Sequence, residues 1–176
     1  IAMDEGGASQ DRVPAASAAV ERALAEALEQ QAATREILSV IARSLDPIAA
    51  VGGLRFLPDT TYAGAPQCDV LFVPGGPGTG ALLEDRETLE FLRAQSVRAR
   101  YVTSVCTGAL VLGAAGLLEG YRATTHWLSL ELLPLFGAIH DPARVARDGN
   151  IITGGGVTAG IDFALTVLAE VAGAEI

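Results

Sequence analysis

Hydrophobic and polar residues recur with two different periods along this chain, and the change falls near Pro47. Between Ser17 and Asp46 strong helix formers dominate, and Val20, Leu24, Ala27, Gln31, Thr34, Leu38, Ile41 and Leu45 follow one another at alternating spacings of four and three. That is a heptad seam with two polar positions in its middle. It predicts one long amphipathic helix over 17–46, with Ser17 as its cap and Pro47 as its stop. Such a helix either lies along its own domain or pairs with another copy as a coiled-coil stem. Residues 1–16, polar, small and broken by Gly and Pro, read as a flexible arm.

Beyond residue 50 the pattern shortens to β-branched runs, glycine turns and amphipathic stretches. Residues 51–62 predict a hairpin or edge strand, and Asp69–Val73 a buried strand feeding a glycine loop. Ala81–Ala99 is amphipathic and reads as a crossover helix, and Tyr101–Val105 as the next parallel strand. Strand, crossover helix, strand is a right-handed βαβ unit. An apolar helix follows from Gly108, with Gly120 as its end. Arg122–Trp127 predicts a short strand into a loop, and Ser129–Phe136 a second amphipathic helix. Arg144–Thr153 places two strand-like runs around Asp148-Gly149, a hairpin signal. Gly154-Gly155-Gly156 then leads to a last apolar helix over Ile161–Val171. The fold class is therefore α/β with a mostly parallel sheet over residues 50–176.

Composition narrows the function. Half of the 176 residues are hydrophobic, enough for a real core. The net charge is −9, with arginine as the only basic residue apart from histidine, which argues against a nucleic-acid partner. Two cysteines, Cys68 and Cys106, make no disulfide framework, and no cationic and apolar signal segment is seen; a cytoplasmic home is the expectation. No zinc-ligand spacing and no apolar run of membrane-spanning length occurs, so neither a metal nor a membrane partner is expected.

The stretch YVTSVCTGALVLGAAGLL, Tyr101–Leu118, carries the chemistry. A strand that passes abruptly through Cys106-Thr107-Gly108 into a helix is a nucleophile elbow. The corner side chain is pushed out of the sheet edge, the helix dipole favours its thiolate, and the Thr107 N–H is placed as an oxyanion donor. Cys106 alone would read as a small buried hydrophobe. The second strand-to-helix turn, Val73-Pro74-Gly75-Gly76-Pro77-Gly78-Thr79-Gly80, changes that, because in an open parallel sheet such turns meet at the carboxyl ends of the strands. The third glycine loop, with Gly155 and Gly156, either borders the same pocket or serves only tight strand-to-helix packing.

Three segments, PGGPGTGALLED, ARYVTSVCTGALVLGAAGLLEGYRATTHW and RVARDGNIITGGGVTAGIDFAL, resemble the ThiJ/PfpI superfamily. Within it they are most similar to the isocyanide (isonitrile) hydratases and to the glutamine amidotransferase-like domains of AraC-type regulators, over about residues 50–172. The resemblance implies a flavodoxin-like three-layer sandwich, commonly a homodimer, with Cys106 as nucleophile and a backbone N–H of Gly75 or Gly76 beside that of Thr107 as oxyanion donors. It implies cysteine-dependent hydration of an isocyanide to an N-substituted formamide, a lyase reaction on a small molecule that needs no cofactor. The resemblance implies substrate binding at Gly78, His126, Gly155 and Gly156; His126 reads as a histidine satisfied by hydrogen bonds near a subunit contact ahead of a role as base.

Two departures qualify this. Thr107 stands where the protease-like branch carries His, which argues against peptidase activity. The family's first strand and the acidic residue after it are not found, and residues 20–46 are similar to signalling linkers of bacterial histidine kinases. The chain therefore reads as an N-terminally truncated or fused domain preceded by a long helix, with general acid–base help missing unless Asp4, Glu5 or Asp11 folds back. The alternative is a non-catalytic small-molecule or redox-sensing and dimerisation module.

Overall fold

A computed structural model of the chain describes residues 39–50 and 52–173. Two compact units divide the chain, residues 1–40 and 41–176, and the second holds every element described here.

In chain order the elements are β1 (Ile41–Ala42), β2 (Ile48–Ala49), β3 (Arg55–Phe56), β4 (Thr60–Thr61), a 3₁₀ turn at Tyr62–Gly64, β5 (Val70–Val73), α1 (Thr79–Leu82), α2 (Arg86–Ser96), β6 (Tyr101–Val105), α3 (Gly108–Ala114), β7 (Arg122–Ala123), a 3₁₀ helix at Trp127–Phe136, β8 (Ile139–His140), β9 (Val145–Asp148), β10 (Ile151–Gly154) and α4 (Ala159–Ala172). The main sheet runs β5-β6-β10-β9. β5 and β10 both pair parallel to β6, and β9 closes the far edge antiparallel to β10 through the Gly149-Asn150 turn. The predicted α/β class and mostly parallel sheet are what the chain adopts.

Alternation along the strands builds two cores. Leu71, Val73 and Val102 face α2 and α3, meeting Leu89, Leu92, Ala109, Val111 and Leu112. Tyr101 and Ile152 face the other way, onto Phe163 of α4. Helices on both faces of a parallel sheet make the expected three layers. Within the sheet, the Thr103 hydroxyl donates to the Leu71 carbonyl at 3.0 Å. Ser104, next along β6, is fully buried, and its hydroxyl has no hydrogen-bond partner among the described residues. The start of α2 is fixed by Asp85, whose carboxylate accepts from the Thr88 N–H at 3.3 Å, bonds the Thr88 hydroxyl and pairs with Arg43.

Four expectations differ from the structure. The crossover helix over Ala81–Ala99 is two helices, α1 and α2, because Asp85 stands extended between them and caps the second. The helix over 17–46 falls largely outside the described residues, but its eight described positions, 39–46, are not helical. Ile41–Ala42 is a strand paired parallel to Thr60–Thr61, and the Ser44 hydroxyl bonds Asp46 at 2.9 Å in the bend before Pro47. A β-branched residue just ahead of a Ser-x-Asp-Pro bend is readily taken by a neighbouring strand. The elbow helix stops at Ala114, short of Gly120. Gly116 takes the left-handed position there, and Leu117 N–H reaches Leu112 O at 3.0 Å while Gly116 N–H reaches Gly113 O at 2.8 Å, a Schellman stop. Finally, Trp127–Phe136 is a 3₁₀ helix, with Pro134 inside it. Pro134 has no N–H to give and would crowd an α-helical carbonyl one turn back, so the tighter winding wins.

Candidate active site

β6 delivers Cys106 to the carboxyl edge of the sheet. Its φ is +55°, in the left-handed region that a non-glycine residue occupies at a cost of about 1–2 kcal/mol. Hydrogen bonds hold it there: Cys106 N–H donates to Gly154 O at 2.8 Å, and the Thr125 hydroxyl donates to Cys106 O at 2.7 Å. Thr107 follows with φ −68° and ψ −4° and opens α3. Cys106 itself is half-buried and unbridged.

Two glycine loops close on the elbow. A Cβ on Gly75 would lie 2.6 Å from Thr107 N and 2.7 Å from Cys106 Cβ. A Cβ on Gly156 would lie 2.5 Å from Cys106 Cβ, on the opposite loop. Only hydrogen atoms fit at these positions, so the cysteine is gripped between residues that contribute backbone alone. The PGG loop is locked to the elbow by hydroxyls. Gly76 N–H donates to Thr107 Oγ1 at 3.0 Å, and Thr79 Oγ1 lies 2.8 Å from Gly76 O and 3.0 Å from Thr107 Oγ1. Gly76 N–H is thus engaged. Gly75 N–H and Thr107 N–H make no hydrogen bond to the described residues.

The remaining expected residues divide. Gly155 and Gly156 line a cleft of about 370 Å³ with Thr125, Trp127, Arg144 and Val157. His126 does not line it: the ring's Nδ1 accepts from Leu128 N–H at 3.3 Å, capping the 3₁₀ helix, and its centroid lies 5.4 Å from the Trp127 ring. Gly78 opens α1 with φ −73° and nothing within 4 Å of where a side chain would start, so neither strain nor close packing demands glycine there. Asp162 sits in the first turn of α4, where the helix dipole favours a carboxylate, and also pairs with Arg144 at 2.7 Å. Thr79 and Thr125 were not anticipated; a hydroxyl in a glycine or apolar context was the only available signal. Cys68 is a packing residue: its N–H donates to Gln95 Oε1 at 3.0 Å, and burial pushes its thiol pKa up. Among the described residues no carboxylate bonds Cys106, and no group of three His, Cys, Asp or Glu side chains is arranged to hold a metal ion.

An open, mostly parallel sheet whose inner strand turns through a left-handed cysteine into a helix defines an α/β protein of the nucleophile-elbow class. The DJ-1/PfpI family model matches residues 21–170, and the chain belongs to the DJ-1/PfpI family. It is 58% identical over 133 residues to an isonitrile hydratase of Pseudomonas putida, covering 76% of this chain and 58% of that protein. It is 34% identical over 153 residues to the HTH-type transcriptional regulator GbdR of Pseudomonas aeruginosa, covering 85% of this chain and 41% of that one. Among solved structures, a ThiJ/PfpI family protein from Pseudomonas syringae superposes with a TM-score of 0.72 at 52% identity, over 75% of this chain and 55% of that chain. The chain thus spans about half the length of the curated relatives it matches. No helix of the described residues is long and apolar enough to cross a membrane.

Proposed function

We propose that the chain hydrates an isocyanide to an N-substituted formamide, with Cys106 as nucleophile. One observation carries this: a left-handed Cys106 clasped by two glycine loops, with the N–H groups of Gly75 and Thr107 unengaged beside it. The likeness to an isonitrile hydratase supports it. The thiolate adds to the terminal carbon of R–N≡C, forming the S–C bond, and that carbon takes a proton to give a thioimidate, R–N=CH–S. Water adds across C=N, placing hydroxyl on carbon and a proton on nitrogen. Collapse of this adduct breaks the C–S bond, returns the thiolate, releases the hydroxyl proton and frees R–NH–CHO. The tetrahedral oxygen is where charge builds, and Gly75 and Thr107 would donate to it. Of the two loop amides expected there, Gly75 is the better donor because Gly76 is held by Thr107.

The proton for the carbon comes from water; Asp4, Glu5 and Asp11 lie outside the described residues. A homodimer of the 50–176 domain in the cytoplasm is part of the proposal; exposed apolar residues Ile161, Leu165 and Leu168 on α4 support a partner surface. The test is formation of formamide from an aryl isocyanide by the wild type and by Cys106→Ser. Loss of product in the variant is the expected result, and equal turnover removes the proposal.

The likeness to a transcriptional regulator favours a second reading, a non-catalytic sensing module in which Cys106 is bound or oxidised. Mass spectrometry after mild peroxide tests it: absence of selective sulfenate or sulfinate at Cys106, with no ligand bound, sinks it.

A further inference from the structure

Two residues of the cleft beside Gly156 reach the nucleophile: Gly156 would touch Cys106 Cβ through any side chain of its own, and the Thr125 hydroxyl is bonded to Cys106 O. Its volume, about 370 Å³, lies within the usual range for small-molecule sites, about 300–1,000 Å³. Its apolar surface comes from Trp127, Leu130, Pro142 and Val157. Trp127 and Val157 are 68% and 80% exposed, so the indole and the branched side chain stand at the rim ready to be covered.

Polar side chains in the wall of the cleft are engaged with one another or with the elbow. The Thr125 hydroxyl is bonded to Cys106 O, and Arg144 is held by Asp162 at 2.7 Å and by Thr158 Oγ1 at 3.3 Å. The one cationic side chain in the wall therefore offers no unbalanced charge to an anion. The chain's overall charge of −9 repels one as well. The His126 ring sits tilted beside Trp127, and the exposed indole leaves surface in the cleft for stacking.

We propose that this cleft takes the nitrogen substituent of the substrate and selects an uncharged aromatic group there, with Trp127 and Val157 as the specificity-determining residues. The inference rests on the isocyanide reading.

Trp127 is the only tryptophan of the chain, so its emission reports the cleft without a label. The full chain carrying Cys106→Ala is titrated with formanilide, N-methylformamide and N-formylglycine, and wild-type turnover of phenyl isocyanide is followed in parallel. Expected is a saturable emission change with formanilide, binding about tenfold or more tighter than either other amide, and a loss of about tenfold on adding Val157→Asp. No saturable change, or equal binding of all three amides, overturns the proposal. The two readings fail separately. Selective formanilide binding without turnover sustains the cleft and removes the hydratase reading, whereas turnover of phenyl isocyanide with no Trp127 response removes the cleft.

Discussion

Gly156 and Cys106 are in contact at the level of the β-carbon: a methyl on Gly156 would sit 2.5 Å from Cys106 Cβ and 3.0 Å from its Cα, with the glycine at φ +81°. Neither neighbour is the yielding end of a long side chain. Gly156→Ala should therefore lower stability by about 2–5 kcal/mol, combining overpacking with left-handed strain, and abolish formamide production. Gly78→Ala, at an ordinary φ with open space, should move the urea midpoint little. Equal midpoints for the two variants would show that the loop gives way freely.

Thr107 Oγ1 is the single acceptor for Gly76 N–H and lies beside the Thr79 hydroxyl. Thr107→Val leaves the Gly76 N–H facing a methyl group, while the Thr79 hydroxyl keeps its bond to Gly76 O. It should cost about 1–3 kcal/mol of transition-state stabilisation, roughly 5- to 150-fold in kcat/KM, with Thr107→Ser restoring most of it. If valine and serine behave alike, the hydroxyl does not position the loop.

Ser104 is buried in β6 with its hydroxyl unpaired among the described residues. Removing an unsatisfied oxygen takes away a desolvation cost, so Ser104→Ala should be neutral or stabilising by up to about 1 kcal/mol in urea unfolding. A clear loss of stability would reveal a partner for that oxygen.

Asp85 is held below the usual carboxylate range, first by the Thr88 hydroxyl and then by Arg43 and the Thr88 N–H, against the opposing effect of desolvation. A carboxylate with a depressed folded pKa contributes stability above its unfolded pKa and loses it as pH falls through the folded value. Acid should therefore weaken the wild type in that range, and Asp85→Asn, which keeps the cap but cannot ionise, should flatten this limb of the stability profile. Parallel acid limbs in the two proteins would contradict it.

Much of the site was readable because its signals are local. A β-branched run breaking at Cys-Thr-Gly marks strand, corner and helix within a few residues, and β6 spans the predicted Tyr101–Val105. Where a competing local choice existed, the wrong one was easily taken. Gly116 and Gly120 both adopt φ +77°, and the helix ends at the first because the Schellman bonds close there. Ile41 continues a heptad on paper, yet its pairing with Thr60 depends on a strand far along the chain. The Thr125 bond to Cys106 O was illegible for the same reason: residue type says that a hydroxyl can donate, and only the assembled fold says to what.

The two glycine loops that grip the thiol come from opposite sides of it in the sequence, one ahead of the crossover helix and one beyond the hairpin. Such a clasp has high contact order, and it closes only after the parallel strands have docked. During refolding, helix signal in the far ultraviolet would return before Cys106 regains its half-buried place, which makes the slowing of its labelling a late reporter of the finished architecture.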